Sequence, residues 1–433
     1  MTAWIASAGA SLRGRVRVPG DKSVSHRAVM LGALADGTTV VEGFLEGEDT
    51  RATAGVFQAL GVRIESSVPS ARIVHGVGLH GLQPPGAPLD CGNAGTGMRL
   101  LAGLLSGQRF DSALVGDASL SRRPMGRVIR PLARMGARIE SEAGGLPPLR
   151  IRGGQVLRGG EHVTEVASAQ VKSALLLAAL YAHGPTTVIE PTPTRDYTER
   201  MLEAFGAAIE YAPGRATLVP GAPLRARRVR VPADFSSAAF FIVAATIIPG
   251  SDVLLEAVGM NPRRTGLLDA LRAMGADIEV AGSGEEGGEP VADLRVRHAR
   301  LVGIDVPPAI VPDMIDEFPA LFAAAACAEG VTRVTGAAEL RVKESDRIAA
   351  MAAGLRTLGI GIDEFDDGAS IRGGPIGGGV VDSLGDHRIA MSFAVLAQCA
   401  AAPVRIGDVD NVATSFPGFD RLARDAGMAL RDA

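Results

Sequence analysis

The sequence has few aromatic residues and almost no excess of either charge. Aromatic side chains make up 4% of the 433 residues, too few for the stacked rings with which proteins hold single-stranded nucleic acids. Lys and Arg total 44 against 48 Asp and Glu, a formal net charge of -4, so the chain lacks the basic surface typical of nucleic-acid and anionic-membrane binders. We therefore expect neither a nucleic acid nor a membrane as a partner.

Cysteine and long apolar runs are also scarce. The three cysteines, Cys91, Cys327 and Cys399, are far apart and set among apolar or small residues, a pattern that favours reduced thiols over a disulfide framework. The longest nearly apolar run, residues 238–248, is too short to cross a bilayer. The N-terminal segment has no basic stretch ahead of an apolar core, so it does not predict a secretory signal. The expected location is the cytoplasm.

Several motifs that mark cofactor or metal chemistry are missing. No His or Cys group has metal-ligand spacing, and no Gly-x-Ser-x-Gly turn marks a serine nucleophile. The glycine-rich segment GNAGTGMR at residues 92–99 fits neither the dinucleotide fingerprint nor the P-loop. We expect no metal and no cofactor.

A repeat of about 70 residues organises the chain. A polar cluster leading into an Ala/Leu-rich run occurs six times, at intervals of 72, 75, 68, 80 and 70 residues, and such self-similarity marks a repeated structural unit. The six copies, called repeats one to six, begin at Asp21, Asn93, Ser168, Ser236, Asp316 and Asp386.

Each repeat also carries a second helical run that ends at a glycine followed by a short β-prone segment. Glycine after the last helical residue is the left-handed C-cap signal. The first run is apolar almost all round and predicts a buried helix, whereas the second is charged on one side. Each repeat is therefore predicted as βαβαββ, with polar insertions such as residues 281–290 as loops. The glycines are Gly61, Gly136, Gly206, Gly275, Gly359 and Gly427.

Two near-copies, VRVPGDKS near residue 20 and VRVPADFSS near residue 235, divide the six repeats into two sets of three. The predicted fold is α/β (α+β), with two pseudo-threefold domains of three βαβαββ units each around buried helices. One domain is expected at 21–235 and the other at 1–20 plus 236–433, with chain crossings near residues 20 and 235.

The polar start of each buried helix predicts a shared anion site, because helix N-termini expose unpaired N–H groups and a positive dipole end. An ordinary helix cap or a solvated cation is the alternative at each position. Lys343 and Arg347 lie four apart, so on one helical face they repel unless an anion sits between them. The candidates are Lys22, Ser23, Arg27, Asn93, Gly95, Thr96, Arg123, Ser168, Gln170, Arg195, Asp316, Lys343, Glu344, Arg347, His387 and Arg388.

Six motifs, in this order and spacing, resemble the 5-enolpyruvylshikimate-3-phosphate (EPSP) synthase family: GDKSxSHR, GNAGTGMR, GDxSLxRRPM, ASAQVKS, LRVKESDR and DHRIAMSFAV. The resemblance implies an inside-out α/β barrel fold in two domains, with the site in the cleft between them. It also implies transfer of the enolpyruvyl group of phosphoenolpyruvate to the 5-hydroxyl of shikimate 3-phosphate, with release of phosphate. The enzyme would act as a monomer in aromatic amino-acid biosynthesis and be a glyphosate target.

The resemblance also implies a role for each candidate residue. The base would be Asp316, the proton donor Glu344 and the residue that reaches both substrates Lys22; Asn93, Thr96 and His387 would support them. Shikimate 3-phosphate would bind to Lys22, Ser23, Arg27, Ser168, Ala169, Gln170, Arg195, Asp316 and Lys343. Phosphoenolpyruvate would bind to Lys22, Gly95, Arg123, Gln170, Arg347 and Arg388.

Two departures from the family pattern resemble a divergent subclass that includes glyphosate-tolerant members. Thr414 stands where many members carry Lys, and Ala169 replaces a serine. Tolerant members have alanine where this chain has Gly95. A UDP-N-acetylglucosamine enolpyruvyl transferase is an alternative, but that family uses a loop cysteine and Cys91 instead precedes the glycine turn. A non-catalytic anion-binding relative is a further alternative, against which Asp316, Glu344 and Lys22 together argue.

Overall fold

Short strands and helices alternate along the whole chain in the computed structural model, which describes residues 2–66 and 68–433. The α-helices are α1 (Lys22–Leu34), α2 (Glu48–Ala59), α3 (Gly95–Ser106), α4 (Gly126–Arg134), α5 (Ala169–Ala179), α6 (Tyr197–Ala204), α7 (Phe235–Ile247), α8 (Gly266–Ala273), α9 (Phe318–Ala326), α10 (Arg347–Thr357), α11 (His387–Leu396) and α12 (Phe419–Ala426). Short 3-10 turns cover Leu120–Arg122, Ala143–Gly145, Pro308–Met314, Ala338–Val342, Ala397–Cys399 and Asp410–Thr414.

The β-strands are short, as the spacing of the turn residues predicts. They are β1 (Ala3–Ser7), β2 (Arg13–Val16), β3 (Asp36–Glu42), β4 (Arg63–Glu65), β5 (Ala71–Val77), β6 (Leu89–Asp90), β7 (Ser112–Val115), β8 (Arg138–Glu142), β9 (Leu146–Arg152), β10 (Arg158–Val163), β11 (His183–Ile189), β12 (Ala208–Ala212), β13 (Arg215–Val219), β14 (Arg228–Arg230), β15 (Asp252–Gly259), β16 (Asp277–Glu286), β17 (Glu289–Arg297), β18 (Val331–Val334), β19 (Gly361–Phe365), β20 (Gly368–Arg372), β21 (Gly379–Asp382), β22 (Val404–Gly407) and β23 (Ala429–Asp432).

The chain divides into two compact units. Unit I comprises residues 20–232 and 285–289, and unit II comprises residues 2–19, 233–284 and 290–433. Each unit has its own hydrophobic core. None of the helices in the described ranges has the length and apolar sequence needed to cross a bilayer.

Each unit contains three sheets, and together they confirm the mixed α/β class. In unit I the strand orders are β14-β3-β5-β4, β6-β7-β9-β8 and β10-β11-β13-β12. The first two strands of each sheet are parallel and the others antiparallel. Parallel neighbours need a crossover connection. Helix α3 connects β6 to β7, and helix α5 connects β10 to β11. The repeat thus positions one helix behind each sheet.

The first helix of each repeat is buried, as its apolar sequence predicts. Every residue of α7 and of α9 is buried, because a helix with no polar face is stable only when other elements surround it. The second helices are half-exposed: α4 buries only Val128 and Leu132. The six predicted C-cap glycines all have a positive φ, between 86° and 112°, which confirms these helix ends. Side chains at the starts of the buried helices are thereby held in place by the core.

The strands of unit II come partly from the N-terminus. Its sheets have the orders β16-β17-β15-β2, β18-β20-β19 and β21-β22-β1-β23, so β2 and β1 enter the sheets of repeats four and six. The sequence pattern assigned residues 1–20 to the domain of repeats four to six. It did not predict which strands β1 and β2 pair with, because it records similarity along the chain and not strand pairing.

The polar segment at residues 281–290 is a hairpin and not the predicted loop. Strands β16 and β17 are joined by Gly287 and Gly288, both at positive φ, and two such residues are what a tight hairpin turn requires. The tip, residues 285–289, is grouped with unit I, whereas the sequence pattern assigned it to the other domain. Within unit I, Arg200 Nε lies 3.9 Å from Glu289 Oε1.

Candidate active site

Helix α1 of unit I begins with the predicted cation Lys22. Asp21 caps this helix by accepting a hydrogen bond from Val24 N at 2.8 Å, so Lys22 and Ser23 lie in its first turn. Lys22 forms an ion pair with the buried Asp49. The N-terminus of the helix and the ammonium group together favour an anionic ligand.

Arg27 is one turn further along α1 and is almost completely buried. Its guanidinium donates to Ser23 O at 2.9 Å, to Thr198 Oγ1 at 2.7 Å and to Ser173 Oγ at 3.0 Å. Burial lowers the pKa of Arg27 to about 10, against the opposing effect of nearby carboxylates. Because Ser173 lies on α5 and Thr198 on α6, Arg27 joins three helices at the site.

The glycine-rich segment holds two further candidates through side-chain hydrogen bonds. Arg123 Nη2 donates to Asn93 Oδ1 at 2.5 Å and to Ser119 Oγ at 3.2 Å. Gln170 Nε2 donates to Thr96 Oγ1 at 2.8 Å. Asn93 therefore orients the Arg123 guanidinium, and Thr96 orients the Gln170 amide. The family resemblance assigns both Arg123 and Gln170 to substrate binding.

Arg99 also belongs to this group, although the sequence reasoning did not single it out. It is buried, and its Nη1 donates to Gln170 Oε1 at 2.7 Å. Arg99 is the last residue of the glycine-rich motif GNAGTGMR, so the signal was in the quoted segment. Both polar ends of the Gln170 amide are thus held by neighbours on α3.

The segment that carries Arg195 is fixed by a buried ion-pair group that sequence reasoning missed. Lys172 Nζ lies 2.7 Å from Glu190 Oε2 and 2.7 Å from Glu199 Oε1. Burial would lower the pKa of Lys172, but these two carboxylates raise it above its usual value. Glu190 also accepts a hydrogen bond from Thr194 N, beside Arg195. Ser168 occupies the N-cap position of α5, with Ala169 and Gln170 as its first helical residues.

In unit II, the Asp316 carboxylate is surrounded by cations. Its Oδ1 lies 3.6 Å from Lys343 Nζ and 3.7 Å from Arg347 Nη1, and its Oδ2 lies 3.5 Å from Arg264 Nη1. Arg388 Nη1 donates to the Asp316 carbonyl at 3.0 Å. The N-cap residue of α9 is the following Glu317. The alternative that Asp316 is an ordinary helix cap is therefore wrong.

Lys343 and Arg347 are not on one helical face, contrary to the sequence-based expectation. Helix α10 begins at Arg347, and Asp346 caps it by accepting a hydrogen bond from Ala349 N at 3.0 Å. Lys343 follows the 3-10 turn Ala338–Val342 instead. The anion that lies between the two cations is the Asp316 carboxylate of the protein itself.

Arg347 is the centre of a buried ion-pair network. Its side chain is 2% exposed and donates to Asp386 Oδ2 at 2.8 Å and to Glu344 Oε2 at 2.7 Å. Burial alone would lower the pKa of Arg347, but the Asp386 and Glu344 carboxylates raise it above the usual value. Asp386 also caps α11 by accepting from Arg388 N. The network thus links the starts of α10 and α11.

The cations beside Asp386 outweigh both its burial and the charge of Glu344. Burial by itself would raise the pKa of Asp386, but the neighbouring Arg347 and His387 lower it below its ordinary value. His387, which sequence reasoning places in a supporting role, is buried at the start of α11. Thr414, the residue in place of a family lysine, is buried and donates to Asn411 O at 2.6 Å, so it supplies no positive charge.

Cys91, the cysteine beside the glycine-rich motif, is not placed for covalent catalysis. Burial raises the pKa of Cys91 to about 12, so its thiol stays protonated at neutral pH and is a poor nucleophile. The thiols of Cys327 and Cys399, far apart in the sequence, form a hydrogen bond with each other. Across residues 2–66 and 68–433, no group of three or more His, Cys, Asp or Glu side chains is arranged to hold a metal ion.

Comparisons with known proteins agree over almost the full length. The family model described as EPSP synthase (3-phosphoshikimate 1-carboxyvinyltransferase) matches residues 6–422. The 3-phosphoshikimate 1-carboxyvinyltransferase of Xanthomonas axonopodis pv. citri (strain 306) is 68% identical over 430 residues, which cover 99% of this chain and 98% of that protein. The same enzyme of Xanthomonas campestris pv. campestris (strain B100) is 68% identical over 427 residues, with the same coverage.

Solved structures show the same fold. EPSP synthase from Acinetobacter baumannii superposes with a TM-score of 0.91 at 50% sequence identity, covering 100% of both chains. The enolpyruvyl transferase NikO from Streptomyces tendae superposes with a TM-score of 0.80, covering 100% of this chain and 99% of that one. Its sequence identity is 17%, so this second likeness concerns the fold alone.

Proposed function

This chain belongs to the EPSP synthase family, and from that premise we propose that unit I supplies most of the anion ligands for the family reaction, whereas unit II supplies its acid and base. The chain transfers the enolpyruvyl group of phosphoenolpyruvate to the 5-hydroxyl of shikimate 3-phosphate and releases phosphate. Two phosphates and two carboxylates have to be held during this reaction, which requires several cations and helix N-termini. The proposal concerns which residues of this chain do so.

In the proposed division, unit I supplies most of the anion ligands. Shikimate 3-phosphate is bound by Lys22, Ser23, Arg27, Ser168, Ala169, Gln170 and Arg195. Phosphoenolpyruvate is bound by Lys22, Gly95, Arg123 and Gln170. The support for this is that all of these residues except Arg195 lie in or beside the first turns of α1, α3 and α5 or are hydrogen-bonded to a residue that does. Arg195 acts electrostatically on Asp21, the residue that caps α1. Arg27 and Arg123 each have a guanidinium fixed by neighbouring oxygen atoms, which reduces the entropy lost when an anion binds.

Unit II supplies the acid and base in this proposal. Asp316 removes the proton of the 5-hydroxyl as its oxygen bonds to C2 of phosphoenolpyruvate, while Glu344 donates a proton to the methylene carbon. In the elimination step, the C2–O bond to phosphate breaks and Glu344 takes the proton back from the methyl group. The proton on Asp316 passes to the leaving phosphate, so both carboxyl groups return to their starting states. Lys343 binds shikimate 3-phosphate, and Arg347 and Arg388 bind phosphoenolpyruvate.

One observation carries the assignment of acid and base: the Asp316 and Glu344 carboxylates both form ion pairs with Arg347. Arg347 lies 3.7 Å from Asp316 Oδ1 and 2.7 Å from Glu344 Oε2. Asp316 is 16% exposed and Glu344 27%, so both side chains are more accessible from solvent than Arg347, which is 2% exposed. A shared, buried cation holds two candidate proton carriers in fixed positions, as acid–base catalysis requires.

The variant Arg123→Met tests the phosphoenolpyruvate site. Loss of a charge-assisted hydrogen bond costs about 1.5–3 kcal/mol, so we expect the KM for phosphoenolpyruvate to rise about 10- to 100-fold. The KM for shikimate 3-phosphate should change much less. Arg122→Met is the matched control, because Arg122 is adjacent and exposed. Steady-state phosphate release measures the KM for each substrate in each variant. Equal effects of the two variants would contradict the assignment.

The variant Gly95→Ala tests how closely the glycine turn fits Arg123. A Cβ at position 95 would lie 3.1 Å from Arg123 Nη1 and 3.5 Å from Arg99 Nη1, so the guanidinium has to shift by a few tenths of an ångström. We expect the KM for phosphoenolpyruvate to rise about threefold to tenfold. Gly55→Ala in α2 is the control, since a Cβ there meets nothing within 4 Å. An unchanged KM in Gly95→Ala would show that this contact is unimportant.

The finer features predicted from the sequence are part of the same proposal. Ala169 and Thr414 support membership of the divergent subclass that includes glyphosate-tolerant members. Glyphosate inhibition measured against phosphoenolpyruvate tests tolerance, for which Ala169 and Thr414 favour a tolerant enzyme and Gly95 a sensitive one. A cytoplasmic location and a monomeric state stay predictions, and light scattering on the purified protein tests the second.

A further inference from the structure

Arg264 is a buried cation that none of the predicted substrate contacts includes. It lies just before α8, and its side chain is 5% exposed. Its guanidinium faces the starts of two helices: the N-cap residue of α7 on one side and the residues before α9 on the other. Nη2 lies 3.6 Å from Asp234 Oδ1, and Nη1 lies 3.5 Å from Asp316 Oδ2.

Two neighbours fix the guanidinium of Arg264. Ser236 Oγ accepts a hydrogen bond from Arg264 Nη2 and itself donates to Glu317 Oε1. Glu317 Oε1 is also 3.7 Å from Arg264 Nη2. Ser236, Glu317 and Asp234 are all buried, so these contacts are shielded from water and hold the arginine in one position.

The two oxygen atoms of Asp316 have different partners. Lys343 and Arg347, which belong to the proposed substrate contacts, approach Oδ1, whereas Arg264 approaches Oδ2. A carboxylate held from only one side can rotate about its χ2 angle. Contact from the opposite side by a rigid guanidinium removes that freedom.

We propose that Arg264 is a positioning residue that, held by Ser236 and Glu317, anchors Asp316 Oδ2 so that Oδ1 stays aimed at the hydroxyl proton. Arg264 does not touch the substrates in this proposal. The inference rests on the proposed role of Asp316 as the base. It concerns only residues of unit II, so it follows from the internal geometry of that unit.

The variant Arg264→Met tests the proposal by steady-state kinetics. We expect kcat to fall about 100-fold, since misplacing a reacting group by about 1 Å costs this much, while both KM values change less than threefold. Arg264→Lys keeps the charge but not the planar fork, so it should recover part of the loss. Arg263→Met is the matched control, because Arg263 is adjacent, 37% exposed and paired with Asp313.

The pH profile separates positioning from a merely structural role. Removing the Arg264 cation disfavours the ionised form of Asp316, so the acidic limb of the kcat profile should move to higher pH in Arg264→Met and less in Arg264→Lys. The charged groups that remain around Asp316 in the variant include Lys343, Arg347, Arg388 and Glu317.

A second variant covers the case in which Arg264→Met does not fold. Ser236→Ala keeps every charge but removes the hydroxyl between Arg264 and Glu317, and we expect kcat to fall several-fold with both KM values unchanged. If Arg264→Lys and Ser236→Ala both keep kcat within twofold of wild type, the proposal is wrong. Asp316→Asn separates this proposal from the proposed role of Asp316. If Asp316→Asn keeps turnover, Asp316 is not the base. If Asp316→Asn abolishes turnover but the Arg264 and Ser236 variants do not reduce it, only the proposed role of Arg264 is wrong.

Discussion

Replacing Asp316 with asparagine should reduce kcat by about 1,000-fold or more while substrate binding persists. Asparagine has the same shape but cannot accept the hydroxyl proton, and a positioned acid or base contributes about 100- to 10,000-fold. The exchange also removes the negative charge between Lys343 and Arg347, so binding of the anionic substrates should not weaken. The measurement is phosphate release under saturating substrates, together with calorimetric binding of shikimate 3-phosphate.

Asp313→Asn is the matched control for this experiment. Asp313 lies three residues earlier, in the 3-10 turn Pro308–Met314, and pairs with Arg263 at 3.2 Å. We expect its kcat to stay within about threefold of wild type, because an ion pair of this exposure contributes about 1 kcal/mol or less. If Asp316→Asn keeps more than a tenth of the wild-type kcat, another group takes the proton and the proposed mechanism is wrong.

Replacing Arg347 with methionine should destabilise unit II severely. The exchange leaves Asp386, whose side chain is fully buried, without its cation, and breaking a buried ion pair costs about 3–5 kcal/mol. For a unit of this size, that corresponds to a fall in the Tm of unit II of about 10 °C. Calorimetry on wild type and variant checks this. The KM for phosphoenolpyruvate should also rise, since Arg347 is one of its proposed ligands.

The pH dependence of the same variant has a defined sign. In the wild type the pKa of Asp386 is lowered, so its stabilising effect is present above about pH 4, the usual unfolded value, and is lost only at lower pH. Without Arg347, burial and the charge of Glu344 raise the pKa of Asp386 above the unfolded value. The variant should therefore become more stable as the pH is lowered from 7 to 5.

Arg356→Met on the same helix is the control for both effects. Arg356 is 49% exposed and pairs with Glu364 at 2.7 Å, and such surface pairs contribute about 0–1 kcal/mol. Its Tm should stay within about 2 °C of wild type, with no change in pH dependence. Similar losses in the two variants would mean that the buried network around Arg347 is not a special source of stability.

The sequence predicts the repeat architecture because the signals for the helices of each repeat are local in the sequence. The apolar runs that became α7 and α9, and the glycines after the second helices, act through nearest neighbours along the chain and need no knowledge of the tertiary structure. The pairing of β1 and β2 with the sheets of repeats six and four depends on contacts between segments more than 200 residues apart. Such pairing leaves no periodic trace in the sequence.

The same distinction separates the site residues that sequence reasoning identified from those it missed. Lys22, Asp316 and Arg347 were found because they stand at helix starts within recognisable motifs. Arg264 and Lys172 were missed because arginine and lysine are common on surfaces. Only burial beside carboxylates distinguishes these two, and that burial is a property of the folded chain.

The central claim is that this chain transfers an enolpyruvyl group to shikimate 3-phosphate. The most direct test is to incubate the purified protein with phosphoenolpyruvate and either shikimate 3-phosphate or UDP-N-acetylglucosamine and to measure phosphate release. The account predicts release with shikimate 3-phosphate, equal in amount to the enolpyruvyl product, and none with the nucleotide sugar. No release with shikimate 3-phosphate, or equal release with both acceptors, would contradict it.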